Sequence, residues 1–300
     1  MALQTNPQLE LAYEYVCYTN KNIFLTGKAG TGKTTFLHRV KEEVVKRMAV
    51  VAPTGVAAIN ARGMTIHSLF QLPFGPYLPG NAREAARQRR FSREKRELIS
   101  TLDLLIIDEI SMVRADVLDA IDDVLRRLKN PIRPFGGVQL LMIGDLHQLP
   151  PVVKDEEWYL LRDHYDTPYF FGSRALQQTR PVVVELKHIF RQSDTTFIDL
   201  LNRVRDNALD DEVLATLNSR YDPAFEPNET DGYITLTTHN ASAQAINAEK
   251  LEALAGRVST FEAEVSGDFP AHAYPTDEQL EVKTGAQVMF VKNDPSPEKQ

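Results

Sequence analysis

Eight residues, Gly27-Lys28-Ala29-Gly30-Thr31-Gly32-Lys33-Thr34, fit the spacing G-x-x-x-x-G-K-[ST] and directly follow the apolar run Asn22-Ile23-Phe24-Leu25-Thr26. The spacing answers a physical need. Glycines let the backbone wrap close to a phosphate so that its N–H groups point at the anion, and the helix that follows presents its positive end. Lys33 is then placed to reach the outer phosphates of a nucleoside triphosphate, and the Thr34 hydroxyl suits Mg²⁺. Phe36, Leu37 and Val40 fall on one helical face, so strand, loop and helix come in the order the pattern requires.

Three further positions suit the same chemistry. Leu104-Leu105-Ile106-Ile107 runs into Asp108-Glu109, which puts two carboxylates at the end of a buried strand. Asp108 can hold Mg²⁺, directly or through water, while Glu109 can orient and deprotonate an attacking water. Leu140 to Ile143 runs into Gly144-Asp145-Leu146-His147-Gln148, where Gln148 suits a contact to the γ-phosphate or the water, and Asp145 can fix the loop. Arg191, in Ile189-Phe190-Arg191-Gln192, offers a guanidinium that could stabilise charge on a transferring phosphoryl group from across a cleft, or simply a surface ion pair. The seven histidines show no metal-binding spacing, and no zinc site is assigned.

The elements that must position these residues recur as five apolar runs: Ile23 to Leu25, Ala49 to Ala52, Leu104 to Ile107, Leu140 to Ile143 and Val182 to Val184. Each suits a strand buried on both faces, and polar or glycine-rich segments follow the first four. Helical patterns between them predict a parallel sheet with helical crossovers, in which ligands bind beyond the carboxyl ends of the strands. The segment Gln71 to Gly80 holds three prolines and two glycines, and seven basic residues against two acidic ones follow between Arg83 and Arg96. Residues 71–96 read as a small excursion from the first domain, its basic run either a solvated helix face or a phosphate-contacting element. Another domain is expected to begin near Pro181, with strands at Val182–Leu186 and Tyr233–Thr237, a helix near Phe197–Val204 and a β-rich tail beyond Gly256.

Three hundred residues allow about two domains, each with its own core. One cysteine, Cys17, permits neither an internal disulfide nor a cysteine-based zinc site, and the opening MALQTNPQLE lacks the regions of a signal peptide. No apolar run approaches the ~18 residues of a membrane span, so a soluble protein of a reducing compartment is expected. A net charge of −7 decides little about nucleic acid, because the charge is unevenly spread.

GKAGTGKTT at 27–35, APTGVAAINARGMTIHSLF at 52–70, IIDEISMVRADVLDAID at 106–122, FGGVQLLMIGDLHQLPPV at 135–152 and FRQ at 190–192 resemble the Pif1 helicases of superfamily 1B. Their order and spacing match across most of the chain, and the DEIS and GDLHQLPPV blocks are far more specific than a phosphate loop. The resemblance implies two RecA-like domains that clamp ATP, and 5′ to 3′ translocation on single-stranded DNA with duplex unwinding. Residues 1–180 would form the first domain, with 71–96 as a wedge-like insertion. Residues 181–255 would begin a partial second domain, and 256–300 a β insertion of SH3-like barrel type.

The same resemblance assigns roles. Gly27, Gly30, Thr31, Gly32, Lys33, Thr34 and Thr35 would bind the nucleotide, with Gln8 reading adenine; Thr34 and Asp108 would bind Mg²⁺. Lys33, Glu109, Gln148 and Arg191 would serve hydrolysis. Pro53, Thr54, Gly55 and His67 would contact DNA, where amides and hydroxyls suit phosphate and an imidazole stacks on a base. Phe74 and Tyr77 are the aromatic candidates of the wedge. Single-stranded DNA and forked duplex are the expected partners, G-quadruplex DNA a further candidate, and the free protein is expected to be monomeric. The family implies work in DNA repair, recombination and telomere maintenance, in the cytoplasm of a bacterium or the nucleus or mitochondrion of a eukaryote. The family's later motifs have no match before Gln300, so the chain reads as the amino-terminal portion of a helicase core. A regulatory ATPase and a non-enzymatic single-strand-binding module remain as alternatives; a GTPase is disfavoured because no N-K-x-D motif occurs.

Overall fold

The computed structural model describes residues 6–73, 75–79, 91–190, 194–225, 233–265 and 276–288. Two compact units divide the chain after Val213. The first opens with helix α1 (Pro7–Tyr18), β1 (Ile23–Gly27), α2 (Lys33–Glu43), β2 (Met48–Ala52), α3 (Gly55–Asn60), β3 (Met64–Thr65) and α4 (Ile66–Phe70). There follow α5 (Arg93–Thr101), β4 (Leu104–Ile107), α6 (Ala115–Leu128), β5 (Gln139–Gly144), α7 (Asp155–Leu161), α8 (Arg174–Gln177), β6 (Val182–Leu186) and α9 (Thr195–Arg205). Helix α10 (Asp211–Asn218) runs across the division.

The six strands lie in the order β3-β2-β4-β5-β1-β6, and every pairing is parallel. Alternation along each strand feeds two separate cores. Phe24, Val51, Leu105, Ile107, Leu140 and Met142 point to one face, where α4, α5 and α6 contribute Leu69, Phe70, Ile99, Leu118 and Ile121. Ile23, Leu25, Val50, Leu104, Ile106, Leu141 and Ile143 point to the other, against Ala12 and Val16 of α1 and Phe36, Leu37 and Val40 of α2. Central strands covered on both faces must read as continuous apolar runs, which is why β4 is LLII with all four residues buried. Because all strands run the same way, Gly27, Ala52, Ile107 and Gly144 end at one edge of the sheet. The segments after them are therefore neighbours.

All five expected runs form strands, and the expected helix near Phe197–Val204 appears as α9. Three expectations change. Pro181 does not open a new domain: Val182 N–H donates to Asn22 O at 2.8 Å and starts the pairing of β6 with β1 from Ile23↔Val182 to Gly27↔Leu186. The first unit therefore continues to Val213. As an edge strand β6 is also not buried on both faces, and Val183 is exposed. Tyr233–Thr237 forms no strand and has no ladder partner among the described residues, and an apolar run without a neighbour to receive its backbone bonds gains little from extension. The second unit holds α11 (Asn240–Ala253) and an antiparallel pair, β7 (Ser259–Glu262) with β8 (Gln279–Val282). This is the small β module expected beyond Gly256. Around the excursion the described residues of 71–79 form neither strand nor α-helix, and Arg93, Lys95 and Arg96 belong to the start of α5. Phe74 and residues 80–90 lie outside the described residues. No helix among the described residues is long and apolar enough to cross a membrane.

Asp119, buried in α6, holds the far side of the first core. Its Oδ1 accepts from Ser173 Oγ at 2.5 Å and Ala175 N at 3.0 Å, and its Oδ2 from Tyr165 Oη at 3.0 Å and Arg174 N at 3.2 Å. One carboxylate thus satisfies the first turn of α8 and two hydroxyls. Asp119→Ala strands these donors away from water and is expected to lower unfolding free energy by about 2–4 kcal/mol. A shift below about 1 kcal/mol in urea unfolding would contradict that role.

Candidate functional site

The phosphate loop is shaped by contacts that only glycine allows. At Gly27 a Cβ would stand 2.6 Å from Leu186 O of the adjacent strand, so no side chain fits between β1 and β6. Gly32, the residue before α2, has φ +92°, a conformation that costs any other residue more than glycine. No side chain caps α2, which leaves its first-turn amides for an anion. Thr31 is fully buried and its Oγ1 donates to Lys28 O at 2.8 Å, which closes the loop on itself. Lys33 Nζ donates to Gly27 O at 2.6 Å and Lys28 O at 3.0 Å. Thr34 and Thr35, next along α2, are exposed.

Lys33 lies in the field of three carboxylates. Burial lowers its pKa, while Asp145, Glu109 and Asp108 raise it and Arg205 lowers it, with a net shift downward. Asp108 is tied to the end of β2 by its N–H to Val51 O at 2.9 Å, and its Oδ1 accepts from Glu109 N at 3.1 Å. Burial raises Asp108 above the usual carboxylate range, opposed by that amide and by Lys33. Glu109 is raised too, first by burial and then by the charge of Asp108, with Lys33 opposing. Its backbone has φ 52° and ψ 45°, the left-handed region that a non-glycine residue enters at a cost of roughly 1–2 kcal/mol. The following turn, Ile110–Met112, is anchored by buried Ile110 and Ser111, and Met112 N returns to Glu109 O at 3.1 Å. Packing therefore holds the strained carboxylate where the strand ends.

After β5, Asp145 organises the next loop. His147 N donates to its Oδ1 at 3.1 Å, Gln148 N to its backbone oxygen at 3.0 Å and Gln148 Nε2 to its Oδ2 at 3.3 Å. Arg205, at the end of α9, also pairs with Oδ2. Burial alone would raise Asp145, but the Arg205 and His147 hydrogen bonds and the charges of Arg205 and Lys33 hold it below the usual range. Arg205 was not expected: it belongs to no recognisable spacing and comes from 60 residues beyond its partner.

Two apolar side chains back the loop. Leu9 of α1 and Phe190 come within 3.8 Å and 3.7 Å of where a Gly32 Cβ would lie, and Phe190 N donates to Gly30 O at 2.8 Å. Gln8, beside Leu9, starts α1 with its N–H on Asn6 Oδ1 at 3.0 Å, so the expected adenine reader sits at the helix end that adjoins the phosphate loop. Arg191 lies outside the described residues, and the chain leading to it is fastened to Gly30 through Phe190.

The expected DNA segments leave the β2 and β3 end of the same edge. Thr54 caps α3 by accepting from Ala57 N at 3.2 Å; Gly55 is exposed with open space where a side chain would stand. His67 lies in α4, half-buried, its pKa lowered by burial and by Arg114 against the opposing charge of Asp116. Tyr77 packs against the first core and its N–H donates to Asp116 Oδ2 at 2.9 Å, so it is less open than a free wedge tip. Arg114 completes this cluster, bonded to Asp116, Glu157 at 2.9 Å and Gly75 O at 3.3 Å.

A parallel sheet in this order, with a phosphate loop after β1 and carboxylates after β4 and β5, defines a RecA-like P-loop nucleoside-triphosphatase fold. The comparison with known families is specific: the PIF1-like helicase model matches residues 8–214, and the chain belongs to that family. Human ATP-dependent DNA helicase PIF1 is 35% identical over 306 residues, covering 96% of this chain and 44% of the human protein. The Saccharomyces cerevisiae enzyme of the same name is 34% identical, covering 91% and 32%. Among solved structures, Bacteroides Pif1 bound to single-stranded DNA superposes with TM-score 0.88 at 41% identity, covering 98% of this chain and 66% of that one. Pif1 from Bacteroides in complex with ADP-AlF3 and single-stranded DNA gives 0.87 at 41%, covering 98% and 67%. The chain spans less than half the length of these two curated relatives.

The raised carboxylates make a stability prediction. A Glu109 pKa above its unfolded value means that folding disfavours the ionised form; the penalty is full above the folded pKa and vanishes below the unfolded one. Glu109→Gln should raise the melting temperature of the nucleotide-free chain at pH 8 by a few degrees, and the gain should shrink toward pH 4. A lower melting temperature than wild type at pH 8 would contradict this account.

Proposed function

We propose that the chain carries the ATP site of an ATP-dependent DNA helicase that translocates 5′ to 3′ on single-stranded DNA and unwinds duplex or structured DNA. The observation that carries this reading is the gathering of Lys33, Asp108, Glu109, Asp145 and Gln148 around one sheet edge, in a chain of the PIF1-like helicase family. In this reading Lys33 exchanges its loop carbonyls for the β- and γ-phosphates, and the uncapped first turn of α2 holds the phosphate oxygens. Glu109, whose raised pKa makes it a stronger base than an exposed glutamate, takes the proton of the attacking water. Gln148 bonds the γ-phosphate or that water, Arg191 neutralises developing charge, and Gln8 reads adenine.

The residues present also fit Mg²⁺. Among the described residues no group of three or more His, Cys, Asp or Glu side chains could hold a metal. Mg²⁺ bound with a nucleotide needs only one or two protein ligands beside phosphates and waters. Thr34 and Asp108 would hold it, and it would supply neutralisation of phosphate charge.

DNA would track the β2–β3 side, along Pro53-Thr54-Gly55 and His67, while ATP occupies the β1, β4 and β5 ends. The two sites would thus share one rigid sheet, with residues 71–96, including Phe74 and Tyr77, as a wedge and the β7–β8 pair part of an insertion in a second domain. Single-stranded and forked DNA are the proposed substrates, with G-quadruplex DNA a further one and a monomer the free form. The names of relatives support the first two: one solved complex concerns unwinding at forked double-stranded DNA by two coordinating Pif1 helicases.

A chain extended through the later helicase motifs should unwind 5′-tailed duplexes and leave 3′-tailed ones paired, with ATP turnover stimulated by single strands. Unwinding of 3′-tailed duplexes alone, or turnover indifferent to DNA, would overturn the proposal. Lys33→Ala should abolish turnover, and Glu109→Gln should retain ATP binding while stopping it. His67→Ala should weaken single-strand affinity about tenfold, as expected for loss of one stacking contact, without changing ATP binding. Equal DNA affinity by fluorescence anisotropy removes His67 from the contact.

A further inference from the structure

Arg205 ends α9, a helix whose start is capped by Asp194 through Thr196 N at 2.9 Å and Phe197 N at 3.1 Å. Its guanidinium crosses to Asp145, whose side chain is only 1% exposed, and is itself 17% exposed. The oxygen it meets, Oδ2, is the one that accepts from Gln148 Nε2 at 3.3 Å. Arginine and glutamine therefore converge on a single carboxylate oxygen. The other oxygen and the main chain of Asp145 hold the amides of His147 and Gln148. Every polar contact described for the start of this loop passes through Asp145, and Arg205 is its only salt-bridge partner among the described residues.

A buried ion pair adds little net stability compared with apolar packing, but removing one member leaves a charge uncompensated. Here that charge would be an aspartate in the field of Lys33. The pair lies at the carboxyl-terminal edge of the sheet, on the aspartate that holds the loop after β5. By contrast Arg203, on the same helix, pairs with Asp210 and, at 3.6 Å, with Glu212, away from the loop.

We propose that Arg205 is a positioning residue: by holding Asp145 it fixes the Gln148 amide toward the triphosphate and makes the sensor loop depend on where α9 sits. Withdrawal of α9 removes the charged partner of Asp145 Oδ2, leaving that oxygen with Gln148 Nε2 and the charge of Lys33, and the loop loses the ion pair that fixes it. The inference rests on the reading of this edge as an ATP-hydrolysing site. It goes beyond that reading by adding a residue from outside the motif blocks and giving α9 a part in turnover.

The test uses the full-length protein with Arg205→Gln, Arg205→Lys and Arg203→Gln. Arg205→Gln should lower kcat for DNA-stimulated ATP hydrolysis about tenfold or more, as displaced catalytic groups do. Arg205→Lys should recover most of the loss, and Arg203→Gln should leave kcat near wild type. Independently of activity, amide hydrogen exchange at His147 and Gln148 should quicken in Arg205→Gln and not in Arg203→Gln. Normal exchange in Arg205→Gln, a kcat near wild type, or equal effects from Arg203→Gln would each overturn the proposal. A wild-type protein that hydrolyses no ATP defeats the functional reading instead, and the exchange experiment still decides whether Arg205 holds the loop.

Discussion

The ammonium of Lys33 carries much of what this chain can do. It is turned onto the carbonyl oxygens of Gly27 and Lys28 within reach of the charges of Asp145, Glu109 and Asp108. Two carbonyls and a desolvated pocket are a poor substitute for phosphate, so the arrangement stores a demand for an anion. The uncapped first turn of α2 makes the same demand. A nucleoside triphosphate would answer both at once, in the reading proposed above, with the charges of Asp145, Glu109 and Asp108 close by.

The sheet makes this concentration of charge possible. Parallel strands end together, and the two apolar cores that clamp β1, β4 and β5 leave their ends little freedom. Rigid support is what permits Glu109 to stay in a left-handed conformation and ionisable groups to remain half-buried. The cost is local, whereas the two cores are distributed over much of the first unit, with each fully buried leucine or isoleucine contributing about 1.5–3 kcal/mol. Strand order also separates the proposed tasks: the segments proposed for nucleotide follow β4, β5 and β1, and those proposed for DNA follow β2 and β3.

Much of this was legible in the sequence because burial on both faces forces apolar runs, and because phosphate-binding loops have a strict spacing. Five of the six strands of the sheet were marked in that way. The sixth, Met64–Thr65, was not, since two residues carry no periodicity. Pro181 misled for a physical reason: a proline after the left-handed Arg180 punctuates a domain boundary and an edge strand equally well. Local motifs mark Lys33, Asp108, Glu109 and Gln148 as candidates, whereas nothing in the sequence marks Arg205, whose contact is with a partner 60 residues away. Backbone strain at Glu109 is likewise a property of packing that no residue type announces.

The central claim is that Lys33 is held in waiting by its own loop and is claimed by the triphosphate. A crystal structure of the chain with Mg²⁺ and a non-hydrolysable ATP analogue tests it most directly. The account predicts that Lys33 Nζ leaves the carbonyls of Gly27 and Lys28 and lies about 3 Å from a phosphate oxygen, with the phosphates over the first turn of α2. Phosphates bound elsewhere, with Lys33 still on those carbonyls, would contradict it.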